Sequence, residues 1–183
     1  MAHRFTWDKL VKNAYRLNPK SRGPKYPYTP KFEVSSFTSG PNRGQKCIVP
    51  FVGTKSVLIS LRAWGVTQAS LHNITLLFSG VDIKTEDPQS TNYFQIQYDG
   101  KIYWIQKLDK FRHPLTSRCT CADEFFTFAW WKAQAGCLYG PRPRPYQRKT
   151  TTYPQRNPQH LIGCCKHVYN AWEVLRNSGL TVN

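Results

Sequence analysis

Two short pairs of residues, far apart in the chain, constrain the fold more than any other feature of the sequence. One residue separates Cys119 from Cys121, and one residue separates Cys165 from His167. Residues i and i+2 of an extended chain project to one side, so each pair can grip an ion from its own segment. Three thiolates and one imidazole form a complete tetrahedral shell for Zn²⁺. A shared ion would join two segments that are separated by 43 residues.

Other assignments of these residues remain open at this point. Cys164 adjoins Cys165 and can take its place, and His113 or His160 can substitute for His167. The thiols can also be buried residues without a metal, or a redox pair. If the four-residue site forms, every position of the metal is filled by protein, which favours a structural role over catalysis.

The Cys-x-Cys…Cys-x-His pattern resembles that of the SWIM-type zinc fingers. The run CCKHVYNAWEVL is similar to the helix of that family, and the resemblance covers about residues 117–178. It implies zinc bound by Cys119, Cys121, Cys165 and His167, and nucleic-acid binding as one function. The 43-residue separation of the pairs exceeds the usual spacing of the family.

The middle of the chain has the pattern of an antiparallel sheet. Residues 47–51, 56–61 and 72–79 are short runs rich in Val, Ile and Leu, which predict strands. Residues 93–98 and 101–108 alternate in hydrophobicity around Asp99-Gly100, a pair typical of a two-residue hairpin turn. We expect the apolar side chains of this hairpin to share one face: Phe94, Ile96, Tyr98, Ile102 and Trp104.

Three segments have helical spacing. A helix is predicted after Thr6 and ends before Pro19, with an apolar face formed by Leu10, Val11, Ala14, Tyr15 and Leu17. A second is predicted over Ala122–Ala135, with its aromatic residues in the core: Phe125, Phe126, Phe128, Trp130 and Trp131. A third is predicted over about 166–177, with Val168, Ala171, Trp172 and Leu175 on one face.

These patterns predict an α+β protein in three parts. Residues 1–46 would form a basic helix and extended arm, 47–116 an antiparallel β region, and 117–183 a zinc-stapled helical module. The positive charge is concentrated at the two ends: residues 1–46 hold ten basic and two acidic side chains, residues 47–137 hold nine and seven, and residues 138–183 hold seven and one. The net charge of +16 favours phosphates, acidic protein surfaces or anionic membranes as partners.

A loop rich in arginine and proline lies between the last two helices. Within residues 138–163 the run PRPRP favours a stiff, extended path that loses little entropy on docking. Arg and Tyr are frequent at protein interfaces and also suit phosphates and stacked bases. A solvated loop is the alternative. The candidate partner-binding residues are Arg142, Arg144, Tyr146, Arg148 and Lys149.

The runs CTCADEFFTFAWW and CLYGPRPRPYQRKTTTYPQRNP resemble small proteins of tailed bacteriophages that are virion or tail-assembly components. The resemblance implies a structural protein of the tail, baseplate or neck, located in the virion and, during assembly, in the host cytoplasm. Other virion proteins would then be the partners, with nucleic acid as the alternative. The ten carboxylates are scattered, with no pair placed for acid–base catalysis, so we expect no enzyme and no small-molecule substrate. No apolar run approaches the roughly 20 residues that span a bilayer, so we expect no membrane-spanning segment. Among the partners that the charge favours, we expect protein or nucleic acid rather than a membrane surface.

Overall fold

The computed structural model describes residues 5–17, 32–34, 48–64, 70–145, 147 and 155–182. Within them the chain forms three α-helices, one π-helix and eight strands in two antiparallel sheets, an α+β arrangement as predicted. The three-part division of the chain stays a prediction. Among the described residues, no helix combines the length and the apolar character needed to cross a membrane.

The larger sheet carries most of the core. Its five strands are β1 (Phe32–Val34), β2 (Ile48–Phe51), β3 (Ser56–Trp64), β4 (Leu71–Ser79) and β8 (Leu115–Cys119). The order is β1-β3-β4-β8, and β2 also pairs with β3. Alternate residues of β3 and β4 oppose one another and are buried, which places one face of this sheet in the core: Val57 with Phe78, Ile59 with Leu76, and Leu61 with Ile74.

The smaller sheet contains the predicted hairpin. It consists of β5 (Ile83–Lys84), β6 (Tyr93–Tyr98) and β7 (Lys101–Gln106), in the order β5-β7-β6. Asp99 and Gly100 have φ values of 51° and 74°, as a two-residue turn of this kind requires.

The predicted apolar face of the hairpin is wrong in part. The two-residue turn pairs Tyr98 with Lys101, and consequently Ile96 with Tyr103 and Phe94 with Ile105. Because directly opposed residues share a face, Ile102 and Trp104 lie on the other one. Ile102 is accordingly 49% exposed.

The first and last helices pack together against the larger sheet. They are α1 (Trp7–Leu17) and α3 (Lys166–Asn177), as predicted. The rings of Trp7 and Trp172 lie 5.3 Å apart, and Trp172 meets Phe78 of β4 edge-on at 6.3 Å. The predicted face of α3 is buried throughout, whereas Tyr15 of α1 is exposed.

The segment between Asp123 and Ala135 differs from the single helix that was predicted. It forms a π-helix over Glu124–Ala129, followed by α2 (Trp130–Gln134). The assignment of all its aromatic residues to the core is wrong, because only Phe128 is fully buried while Phe125 and Phe126 are exposed. Aromatic residues at five of seven consecutive positions surround a helix, so one neighbouring surface cannot cover them all.

The described parts of the basic arm and of the arginine–proline loop are both tied to the fold. Phe32–Val34, the one described part of residues 18–46, is extended and pairs with β3 as an edge strand. At the start of the loop, the Arg118 side chain donates hydrogen bonds to the carbonyls of Tyr139 and Pro141. At its end, the Asn157 amide donates to the carbonyl of Thr127 at 2.9 Å.

Candidate metal centre

The structure brings the two predicted pairs together. Cys119 is the last residue of β8, and Cys121 follows it by two positions. Cys165 precedes α3, and His167 lies in the first turn of that helix. The four candidate ligand atoms all lie within 4.8 Å of one another, and each residue is at most 3% exposed. This buried Cys₃His group could hold a metal ion.

Strand pairing positions the first pair. Cys119 opposes Ile74 of β4, so the end of β8 is held in the larger sheet. Thr120 then forms two hydrogen bonds with Asn73: its backbone N–H donates to the Asn73 carbonyl at 3.0 Å, and its hydroxyl accepts from the Asn73 N–H at 2.9 Å. The turn between the two cysteines is thereby fixed to β4, and Cys121 points back toward Cys119.

The start of α3 positions the second pair. Cys165 is extended, with φ −74° and ψ 168°, and its carbonyl accepts the first helical hydrogen bond, from Tyr169. The Nδ1 atom of His167 is the ring nitrogen that faces the sulfurs, at 3.7 Å from Sγ of Cys119 and 3.9 Å from Sγ of Cys165. Because Cys165 is extended and His167 lies in the first helical turn, the side chains of both residues project toward the same point.

Hydrogen bonds among the thiols shift their pKa values in opposite directions. Cys121 accepts from the thiols of Cys119 and Cys165, and this lowers its pKa. The pKa of Cys119 is raised, chiefly by the hydrogen bond that it donates to Cys121, and burial raises the pKa of Cys165. Of the three sulfurs, Cys121 is therefore the one whose ionised form these hydrogen bonds favour. A bound cation would favour ionisation of all three sulfurs.

The alternative ligands lie outside this group. Cys164 is buried, but the Cys165 sulfur is the one among the four converging atoms. His113 accepts a hydrogen bond at Nδ1 from the backbone of Asp109, and His160 stacks on Trp131 at 3.9 Å. Among the described residues, no other group of three or more Cys, His, Asp or Glu side chains converges in this way.

A comparison with models of protein families, with curated proteins and with solved structures found no match.

His72 is a neighbour of the centre that the sequence analysis did not identify. Its ring lies 4.8 Å from that of His167, and its Nε2 atom is 3.2 Å from the Ser70 hydroxyl. Burial, and then the nearby His167, lower its pKa. The strand register could have revealed it, because pairing Ile74 with Cys119 brings position 72 beside position 121.

A buried ion pair also supports the centre. Glu124 and Lys132 are both 0% exposed and form a salt bridge, and the Lys132 ammonium also donates to the Ser117 hydroxyl at 2.7 Å. The second carboxylate oxygen of Glu124 accepts the N–H of Cys165 at 3.0 Å, and the Glu124 N–H donates to Sγ of Cys121 at 3.3 Å. One residue thus contacts both halves of the Cys₃His group.

The pKa values of this pair reflect burial opposed by mutual attraction. Burial raises the pKa of Glu124, while the Lys132 ammonium acts against that rise. Burial also disfavours the charged form of Lys132, but the adjacent carboxylate outweighs it and the pKa of Lys132 is raised. The Lys132 ammonium and the Cys165 N–H both donate to the carboxylate, and these hydrogen bonds favour its ionised form.

Two of the predicted partner-binding residues, Arg142 and Arg144, are among the described residues, and neither belongs to the Cys₃His group. The guanidinium of Arg142 stands over the ring of Trp130, 4.4 Å from its centroid. Arg144 is exposed. Tyr146, Arg148 and Lys149 lie outside the described residues.

Proposed function

We propose that the Cys₃His group binds one zinc ion as a closed structural site in a non-enzymatic protein that takes part in assembly. The observation that carries the proposal is the convergence of four buried donors from two distant segments. Thiolate and imidazole ligands are those that structural zinc prefers, and four of them leave no position for a reacting water. The ion would fasten the start of α3 to the end of β8.

The stabilising effect would be local and large. A preformed metal site does not exist in an unfolded chain, so the free energy of zinc binding becomes free energy of folding. Here it would act where α3 begins, since the two segments that carry the ligands are otherwise joined through the Glu124 carboxylate and the apolar contacts of α3. The zinc-binding run CCKH is also where the sequence resembles SWIM-type zinc fingers, which supports zinc over other divalent metals.

Metal analysis tests this part of the proposal. Purified protein should contain about one zinc per chain, and chelation should lower its melting temperature. Cys119→Ser should abolish stoichiometric zinc and cost several kcal/mol of stability, on the order of the metal's folding linkage. Cys137→Ser is the matched control, because that buried thiol lies outside the four-residue group and its loss should leave the zinc content unchanged.

We further propose that the protein is a structural component of a bacteriophage particle, in the tail, baseplate or neck. The support is the resemblance to tailed-phage proteins, together with cationic ends that suit the clamping of neighbouring subunits. The protein would be found in the host cytoplasm during assembly and in the virion afterwards. Mass spectrometry of purified particles tests the role, and absence of the chain from mature virions would contradict it.

The alternative is a nucleic-acid-binding zinc protein, which the SWIM resemblance and the net charge of +16 both favour. In that case, the logarithm of the binding constant for DNA or RNA should fall linearly with the logarithm of the salt concentration, with a slope of about −0.9 per phosphate contacted. The charges of helix α3 do not favour its insertion into a DNA groove. Its two Lys and Arg residues are Lys166 and Arg176, and Arg176 is paired with Glu173 at 2.5 Å. Absence of binding at low salt would exclude this function.

A further inference from the structure

The π-helix presents two phenylalanines to solvent. Phe125 and Phe126 are 48% and 39% exposed, and their rings meet edge-to-face at 5.0 Å. Their neighbours on the inner side, Glu124, Thr127 and Phe128, are fully or almost fully buried. An exposed pair of adjacent aromatic rings on a rigid element is a feature of interaction surfaces, in which such rings are enriched.

Two arginines from the ends of the arginine–proline loop stand on this aromatic surface. Residues five apart are hydrogen-bonded neighbours in a π-helix, so Trp130 lies one turn beyond Phe125. The Arg142 guanidinium is 4.4 Å from the centre of the Trp130 ring, and that of Arg156 is 5.9 Å from the centre of the Phe126 ring. We call these five residues the aromatic–arginine surface.

The guanidiniums of this surface remain able to bind an anion. Among the described residues, neither Arg142 nor Arg156 has a carboxylate within salt-bridge distance. A guanidinium placed over an aromatic ring keeps its in-plane N–H groups for other acceptors, and their fork matches a carboxylate. The stacking also restricts each side chain before a partner arrives, which reduces the entropy lost on binding.

We propose that the aromatic–arginine surface binds an acidic segment of another protein, with carboxylates at Arg142 and Arg156 and an apolar side chain against Phe125. The inference deepens the proposed assembly role and rests on it, since it states the chemistry of the partner. A second copy of this chain fits poorly, because both copies would carry a net charge of +16. Base stacking is less favoured, because a guanidinium already stands over one face of both Trp130 and Phe126 and so reduces the ring area left for bases.

A binding measurement with a defined probe tests this surface. The probe is a fluorescein-labelled twelve-residue peptide in which Glu and Leu alternate, and the readout is fluorescence anisotropy with the full chain. The double variant Phe125→Ser/Arg142→Gln should weaken binding about tenfold, as the loss of one apolar anchor and one charged contact implies. The matched control is Phe111→Ser/Lys110→Gln, which removes another exposed ring, 60% exposed, and the ammonium 5.0 Å from it. This control should change affinity less than twofold.

Two results would overturn the inference. One is an equal loss of peptide binding in the surface variant and in the control, which would show general attraction to a cationic protein. The other is tighter binding of a thymidine oligonucleotide than of the peptide by the wild-type protein, together with loss of that oligonucleotide binding in the surface variant. This result would identify a nucleic-acid surface. Zinc content is measured on the same samples. Zinc-free wild-type protein would contradict the metal centre alone, and peptide binding would still decide the surface.

Discussion

Lys132 lies in the interior with its charge paired to Glu124, and replacing it by methionine should expose how strongly the structure depends on that pair. Both side chains are 0% exposed. Lys132→Met removes the ammonium and leaves the Glu124 carboxylate buried with the Cys165 N–H as its remaining donor. Glu124→Gln keeps an acceptor for that N–H but leaves a buried ammonium with the Ser117 hydroxyl. Each single change therefore isolates a charge.

The size of the effect follows from this isolation. Breaking a fully buried ion pair by removing one partner costs about 3–5 kcal/mol, a large share of a typical stability of about 5–15 kcal/mol. For a chain of this length that corresponds to a melting temperature lower by about 6–20 °C. The double variant Glu124→Gln/Lys132→Met contains no unpaired charge and keeps the acceptor for Cys165. It should therefore lose less stability than either single variant.

Urea unfolding, followed by far-ultraviolet circular dichroism, measures all three losses, with an unchanged m value showing that the same transition is compared. Lys101→Met is the control: this lysine is exposed beside the hairpin turn, and its replacement should change stability by less than about 0.5 kcal/mol. A double variant whose loss equals the sum of the single losses would refute the reasoning, because the two charges would then act independently.

Two further predictions concern packing and thiol chemistry. Gly163→Ala should cost about 1–3 kcal/mol by thermal melt, because the new Cβ would lie 2.7 Å from the Phe128 ring and 3.0 Å from the Ala14 nitrogen. The control Gly53→Ala meets nothing within 4 Å, and a comparable loss there would contradict the packing argument. Burial raises the pKa of Cys137 to about 11, so at pH 8 iodoacetamide should label it roughly a hundredfold more slowly in native than in urea-unfolded protein, read by mass spectrometry. Equal labelling rates in the two states would show that the Cys137 thiol is not protected. Since ionisation of this thiol opposes folding, the stability that the neutral thiol contributes is present below about pH 9 and is lost as the pH rises toward 11.

Local periodicity predicted the elements whose side chains follow one regular spacing. The helix α3 spans Lys166–Asn177, the range that was predicted around its periodic apolar residues, and the Asp99-Gly100 turn forms because both positions tolerate positive φ. The same reasoning failed at the π-helix, where the spacing of neighbours changes from four to five. The burial of Phe128 and the exposure of Phe125 could not be read from a 3.6-residue pattern.

The hairpin shows a second kind of limit. Its turn was predicted, yet Ile102 and Trp104 were placed on the wrong face. The two-residue turn already defines the register, since Tyr98 must oppose Lys101. The alternation within each strand does not define which residues of the two strands share a face, because that depends on the register across the turn.

The amino-acid sequence by itself determined the donor chemistry of the candidate centre and the local elements that carry it, because residue type and short-range spacing are properties of neighbouring positions. Only the tertiary structure decided that Cys165 rather than Cys164 joins the group, that His72 lies beside His167, and that Glu124 holds both Lys132 and the backbone of Cys165. Those contacts depend on strand register and on how α3 docks against the larger sheet. Such long-range packing arises from the whole core and leaves no periodic signal in the segments that it brings together.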